Sequence, residues 1–76
     1  MILNQSQAEA VYSAMCALNN VGHAARITPV FDGQAIQIDQ PDPYGPVILT
    51  WWAGDMHSEH HANQAAFAAA YGLQQG

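Results

Sequence analysis

The chain has 76 residues, half of them apolar, with six carboxylates, one arginine and no lysine, for a formal net charge of −5. A charged fraction of 9%, against about a quarter in ordinary soluble domains, excludes phosphate neutralisation by clustered Lys and Arg, so no nucleic-acid partner is expected. The lone Cys16 permits neither an intramolecular disulfide nor a Cys/His zinc spacing. No apolar run approaches the ~18 residues of a membrane span. The opening Met1-Ile2-Leu3-Asn4-Gln5 lacks the basic and apolar regions of a secretion signal, which makes the cytoplasm the expected compartment. A single compact domain covering residues 1–76 follows from the length and from the absence of repeats or linkers.

The first segment reads as a helix from about Ser6 to Asn20. Ser6 with Glu9 fits a capping box, and Asn4 with Gln7 fits one two residues earlier. Ala8, Val11, Met15 and Leu18 recur at helical spacing, widened by Tyr12. Gly22 ends the helix by taking the left-handed conformation.

Asp32-Gly33 then sits between Arg26–Phe31 and Gln34–Asp39 and predicts a two-residue type I′ hairpin. That loop sets Phe31 opposite Gln34, Pro29 opposite Ile36, and Ile27 opposite Ile38. The alternate face pairs Arg26 with Asp39, Thr28 with Gln37, and Val30 with Ala35. Pro29 has no amide hydrogen to donate, which places this first strand at a sheet edge.

Three prolines between Gln40 and Pro46 predict a loop. Val47 to Ala53, rich in β-branched and aromatic residues, is the third strand. Gly54-Asp55 ends it, and a second helix is expected from about Ser58 to Leu73, capped by Asp55 or Ser58. Its inward stripe is Asn63, Ala66, Phe67, Ala70 and Leu73, with Tyr71 at the margin. The fold class is therefore α+β in the order α-β-β-β-α: a three-stranded antiparallel meander with both helices on one face.

The other face of that sheet is left open. It carries Arg26, Thr28, Val30, Ala35, Gln37 and Asp39, with either Ile48, Thr50 and Trp52 or Val47, Leu49 and Trp51 from the third strand. An exposed tryptophan beside branched aliphatics marks an interaction surface, unless the ring folds over the edge to complete the core. The candidate partner-binding residues are Trp51 and Trp52, with Ile48 in support and Tyr44 in the adjoining loop. As the last strand of the meander, the third strand also offers a free edge for a homodimer.

Chemistry-bearing clusters are few. His57, His60 and His61 are the candidates for a metal- or pH-responsive site, since His57 and His61 stand four apart as zinc ligands on a helix do. The pattern H-x-E-H-H lacks the glutamate that follows the first His in metalloproteases. Cys16 could act as a nucleophile with His23, but its helix position between Met15 and Ala17 reads as a partly buried thiol. No phosphate loop or nucleophile elbow occurs, so neither enzymatic activity nor a cofactor is expected.

The α-β-β-β-α order is similar to that of the double-stranded-RNA-binding domain, whose second helix begins with basic residues. Here that position carries Ser58-Glu59-His60-His61, so the RNA-binding function is not implied. In size, acidity and lack of motifs the chain also resembles small phage-encoded accessory proteins of the anti-CRISPR inhibitor type. That resemblance implies a non-enzymatic binder that blocks a host protein or complex. The alternatives are a histidine-based metal or proton sensor and a structural homodimer.

Overall fold

A computed structural model describes residues 2–73. The chain runs through α1 (Gln5–Asn20), β1 (Ala25–Ile27), β2 (Val30–Phe31), β3 (Gln34–Gln40), β4 (Val47–Ala53), β5 (Asp55–His61) and α2 (Gln64–Ala70). The α+β class with an antiparallel meander is as the sequence implies, but the sheet has one more full strand. β1 and β2 both pair with β3, and β3, β4 and β5 follow in order, every pairing antiparallel.

Asn4, not Ser6, caps α1. Its side chain accepts from Gln7 N at 2.8 Å while Gln7 Oε1 accepts from Asn4 N at 3.1 Å, closing the capping box reciprocally. At the other end Gly22 takes φ +81°, and His23 N reaches back to Leu18 O at 3.0 Å. Ala8, Val11 and Met15 form the buried stripe.

Asp32 and Gly33 both take positive φ, 53° and 79°, as a type I′ turn requires. The resulting register is the expected one, with Arg26↔Asp39, Ile27↔Ile38, Val30↔Ala35 and Phe31↔Gln34 as partners. Pro29 splits this strand into β1 and β2. Its carbonyl still accepts from Ile36 N at 3.0 Å, but it cannot return the second bond.

The principal correction concerns residues 54–63. The segment expected to open a helix at Ser58 is strand β5, paired with β4 along its whole length from Val47↔His61 to Ala53↔Asp55. Gly54, at φ +83°, reverses the chain between the two. Asp55 and Ser58 therefore cap nothing. Asn63, placed by periodicity in the helix stripe, is instead the cap of α2, accepting from Ala66 N at 2.8 Å. Phe67, Ala68, Tyr71 and Leu73 are the buried residues here, and Ala70 is exposed. A fourth strand also departs from the α-β-β-β-α order of the RNA-binding domain, since Ser58–His61 begins no helix.

Both helices cover the same face. Ala25, Ile36, Ile38, Val47 and Leu49 of the sheet join Ala8, Val11, Met15, Phe67 and Ala68 of the helices in one core. Gln5 Nε2 donates to Gly72 O at 3.0 Å, tying the start of α1 to the end of α2. One polar side chain is sunk in this layer. Gln40 accepts from Asn19 Nδ2 (3.0 Å) and Gln64 Nε2 (2.9 Å), and donates to Pro43 O (3.3 Å) and Gly45 O (3.0 Å). It thereby clamps the proline loop and both helices to the end of β3.

Candidate functional site

With the helices on one side, the opposite face of the sheet has no covering layer among the described residues. The strand registers arrange it as cross-strand rows. At the hairpin end lies the row Val30, Ala35, Trp52 and Met56, continuing the Val30↔Ala35, Ile36↔Trp51 and Trp52↔Met56 registers. The middle row is Thr28, Gln37, Thr50 and Ser58, and the third is Arg26, Asp39, Ile48 and His60. One end of the face is thus apolar, the centre carries hydroxyls and an amide, and the far end holds an ion pair beside an aliphatic side chain.

The apolar row is exposed: Val30 by 65%, Trp52 by 54% and Met56 by 67%. Three large apolar side chains brought into one row by four strands differ from scattered surface leucines, which need no explanation. Gln34 Nε2 donates to Trp52 O at 3.0 Å, fixing the backbone beneath the indole. At the other end Arg26 Nε lies 3.3 Å from Asp39 Oδ1. This solvent-exposed pair contributes about 0.2–1 kcal/mol and leaves the face electrically neutral.

The structure divides the candidate residues. Trp52 and Ile48 share the open face, four residues apart and hence about 13 Å along the strand. Trp51 points the other way, half-buried against the core and stacked on His57 with ring centroids 5.7 Å apart. It belongs to the helix layer and not to a surface shared with Trp52. Tyr44 is 90% exposed, but it sits beside Asn63, Gln64 and Ala65 at the start of α2, separated from Trp52 by the length of β4. The reading of β4 as a free edge also fails, because β3 and β5 occupy both of its sides.

The histidine cluster is taken apart by the same change. On a helix His57 and His61 would converge; on β5 they lie about 13 Å apart, with His60 on the opposite face. No group of three metal-ligating side chains converges among the described residues. His61 Nε2 instead sits 2.9 Å from Glu59 Oε2, and the Tyr71 hydroxyl donates to the same oxygen at 2.5 Å. Burial pushes the Glu59 carboxyl up, but the hydrogen bonds from Tyr71 and His61 outweigh it and hold the group below its ordinary range. Burial, then the bond to Glu59, raises the Tyr71 phenol above its usual value. The rings of His61, Phe67 and Tyr71 pack together, with His61 edge-on to Phe67 at 5.3 Å. The hydrogen-bonded trio Glu59, His61 and Tyr71, with Phe67 packed against it, fastens α2 to β5. Among the described residues Cys16 meets no histidine or carboxylate: its Sγ lies 3.7 Å from Gln64 Oε1, and its other side-chain neighbour is the Tyr12 hydroxyl.

Val30 and Met56 are the surface residues that sequence reasoning missed. Val30 falls on the open face by alternation but carries no aromatic signal of its own, and Met56 lies in a segment whose sequence reads as the approach to a helix. No family model matches the chain, and no curated protein or solved structure matches it either.

Proposed function

We propose that the protein is a non-enzymatic protein-interaction module that binds and blocks a host protein or complex, in the manner of small phage-encoded inhibitors. The row Val30, Ala35, Trp52 and Met56 carries this reading. It supplies an aromatic anchor flanked by aliphatic and thioether side chains, the composition found at the centres of protein interfaces. The neutrality of the face supports a protein partner over a nucleic acid, since its sole arginine is already engaged by Asp39. Enzymatic activity has no support from the polar groups described, because Glu59, His61 and Tyr71 are spent on one another between β5 and α2.

The test immobilises the intact protein, passes bacterial lysate over it, and identifies the retained complex by mass spectrometry. A stoichiometric partner that Trp52→Ala releases, with affinity lower by at least about 30-fold, is the expected result. Trp52 is more than half exposed, so this variant keeps its fold. A partner bound equally well by wild type, Trp52→Ala and Met56→Ala would refute the open face as the site.

A further inference from the structure

The two edges of the sheet differ in chemistry. The β5 edge carries Asp55, His57, Glu59, His60 and His61, and ionisable side chains on an edge strand discourage pairing with another chain. The opposite edge, residues 25–31, carries one charge, Arg26. Pro29 is the residue type that ordinarily blocks such an edge, but here it is turned inward. Its carbonyl accepts from Ile36 N, so the position of its missing N–H also faces β3. Strand alternation then directs the backbone donors and acceptors of Arg26, Thr28 and Val30 away from the sheet. No bond to them from another described backbone group occurs outside the sheet ladders. Beside this edge, on the helix side, lies an apolar groove of about 430 Å³ lined by Ala10, Val11, Ala14, Ile27, Pro29 and Phe31.

We infer that this edge is a homodimer interface, in which two copies pair antiparallel about Thr28 and join their sheets into one. The occupant follows from self-complementarity. Pairing about Thr28 sets Arg26 against Val30 of the second copy and Thr28 against itself, satisfying three outward residues on each chain with about six backbone hydrogen bonds. Arg26, Thr28 and Val30 alternate onto the open face, and Asp32 follows them in the hairpin turn at the rim of that face. In this register Arg26 is a diagonal neighbour of Asp32 of the second copy, within reach of a long side chain, and the symmetry makes the contact twice. Arg26, whose Nε is 3.3 Å from Asp39 within its own chain, thus meets a second carboxylate with the remaining nitrogens of its guanidinium. On the helix side the two grooves face each other across the axis. Ala10 and Ala14, with nothing beyond Cβ, leave room for the α1 helices to close over the joint. This inference does not depend on the open face having a foreign partner.

Sedimentation equilibrium of the intact protein from about 5 to about 500 µM tests it, because the mass of a self-associating chain rises with concentration. The expected result is a rise from monomer mass to twice that value. Thr28→Pro, which deletes an outward amide that the monomer ladder does not use, should return the protein to monomer without changing its far-UV circular dichroism. Ala10→Lys, at an exposed helical position, should weaken the dimer by about ten-fold or more by lodging an ammonium at the joint. Asp32→Asn keeps the turn chemistry as Asn-Gly and should weaken the dimer several-fold, although it lowers the net negative charge. Monomer mass throughout the range overturns the inference. So does a dimer that survives both Thr28→Pro and Ala10→Lys, or one that Trp52→Ala abolishes while Thr28→Pro does not, which would assign self-association to the open face.

Discussion

Replacing Gln40 by alanine is expected to cost about 3 kcal/mol of stability, a large loss for a substitution whose apolar part is a single methylene. Gln40 is fully buried and uses both lone pairs of Oε1 and both hydrogens of Nε2. The carbonyls of Pro43 and Gly45 can only accept, which fixes the amide nitrogen towards the loop and the oxygen towards the helices. Each bond is worth about 0.5–1.5 kcal/mol net, so four give about 2–6 kcal/mol. Pro43 is exposed and Gly45 half-exposed, so water replaces part of what the carbonyls lose, and the figure falls in the lower half of that range. A chain of this length has about 4–11 kcal/mol in total. The loss should therefore move the urea midpoint by about 3 M, taking a slope of about 1 kcal/mol per M. Gln40→Glu separates the two sides of the amide. A carboxylate still accepts from Asn19 and Gln64 but donates to neither loop carbonyl, so at neutral pH it should be no more stable than the alanine variant, with partial recovery on acidification. A loss below about 1 kcal/mol for Gln40→Ala would show that the loop and helices hold their places without the amide.

Three further perturbations have defined outcomes. The Glu59 carboxyl is held below its ordinary range in the fold, so its contribution is present above the unfolded carboxyl value and is lost as pH falls through the folded one. The Tyr71 phenol is raised, so its contribution is present below the unfolded phenol value and is lost as pH rises beyond it. Urea midpoints measured against pH should fall at both extremes; Glu59→Gln should flatten the acid limb and Tyr71→Phe the alkaline one, and unchanged limbs in these variants would contradict the assignment. Gly33→Ala should destabilise by about 1–2 kcal/mol, because Gly33 sits at φ +79° with open space around the missing Cβ, leaving backbone strain as the whole cost; a thermal melt showing no loss would rule out the type I′ geometry. Equimolar zinc at neutral pH should leave the melting temperature of the intact protein within about 1 °C, since His57, His60 and His61 do not converge on β5; a clear rise would require a different path for residues 55–61.

The hairpin was legible because local chemistry and tertiary structure agree there. Asp32-Gly33 demands two positive φ angles, a two-residue loop permits one register, and that register puts Ile27, Ile36 and Ile38 on the side the helices cover. Strand β5 was not legible from its own residues. Asp55-Met56-His57-Ser58-Glu59-His60-His61 has neither alternating apolar residues nor β-branched ones, and it is a strand because β4 supplies a full ladder partner. The available signal was Gly54: a glycine followed by aspartate after a seven-residue strand marks a reversal as readily as a helix start. Asn63 ahead of an alanine-rich run was the matching cap signal. A helix from Ser58 would leave β4 as the free edge and gather His57, His60 and His61; β5 instead covers that edge and disperses the three histidines. Which face of β4 lies open was undecidable from the sequence, because both faces of Val47–Ala53 are apolar.

The placement of charge bears on how such a surface can be used. Of the six carboxylates only Asp39 lies within the open face, and Arg26 neutralises it. Glu9 is on α1, Asp42 in the proline loop, Asp32 and Asp55 at chain reversals, and Glu59 on the helix side of β5. The net charge of −5 is therefore carried by the rim and by the helix layer. A partner docking on the open face meets no unpaired carboxylate to desolvate there, while the acidic surround draws in a partner with a basic rim. Affinity would come from the apolar row and rate from the periphery. Neutralising rim carboxylates such as Asp55 should then slow association and leave dissociation nearly unchanged, whereas Trp52→Ala should do the reverse.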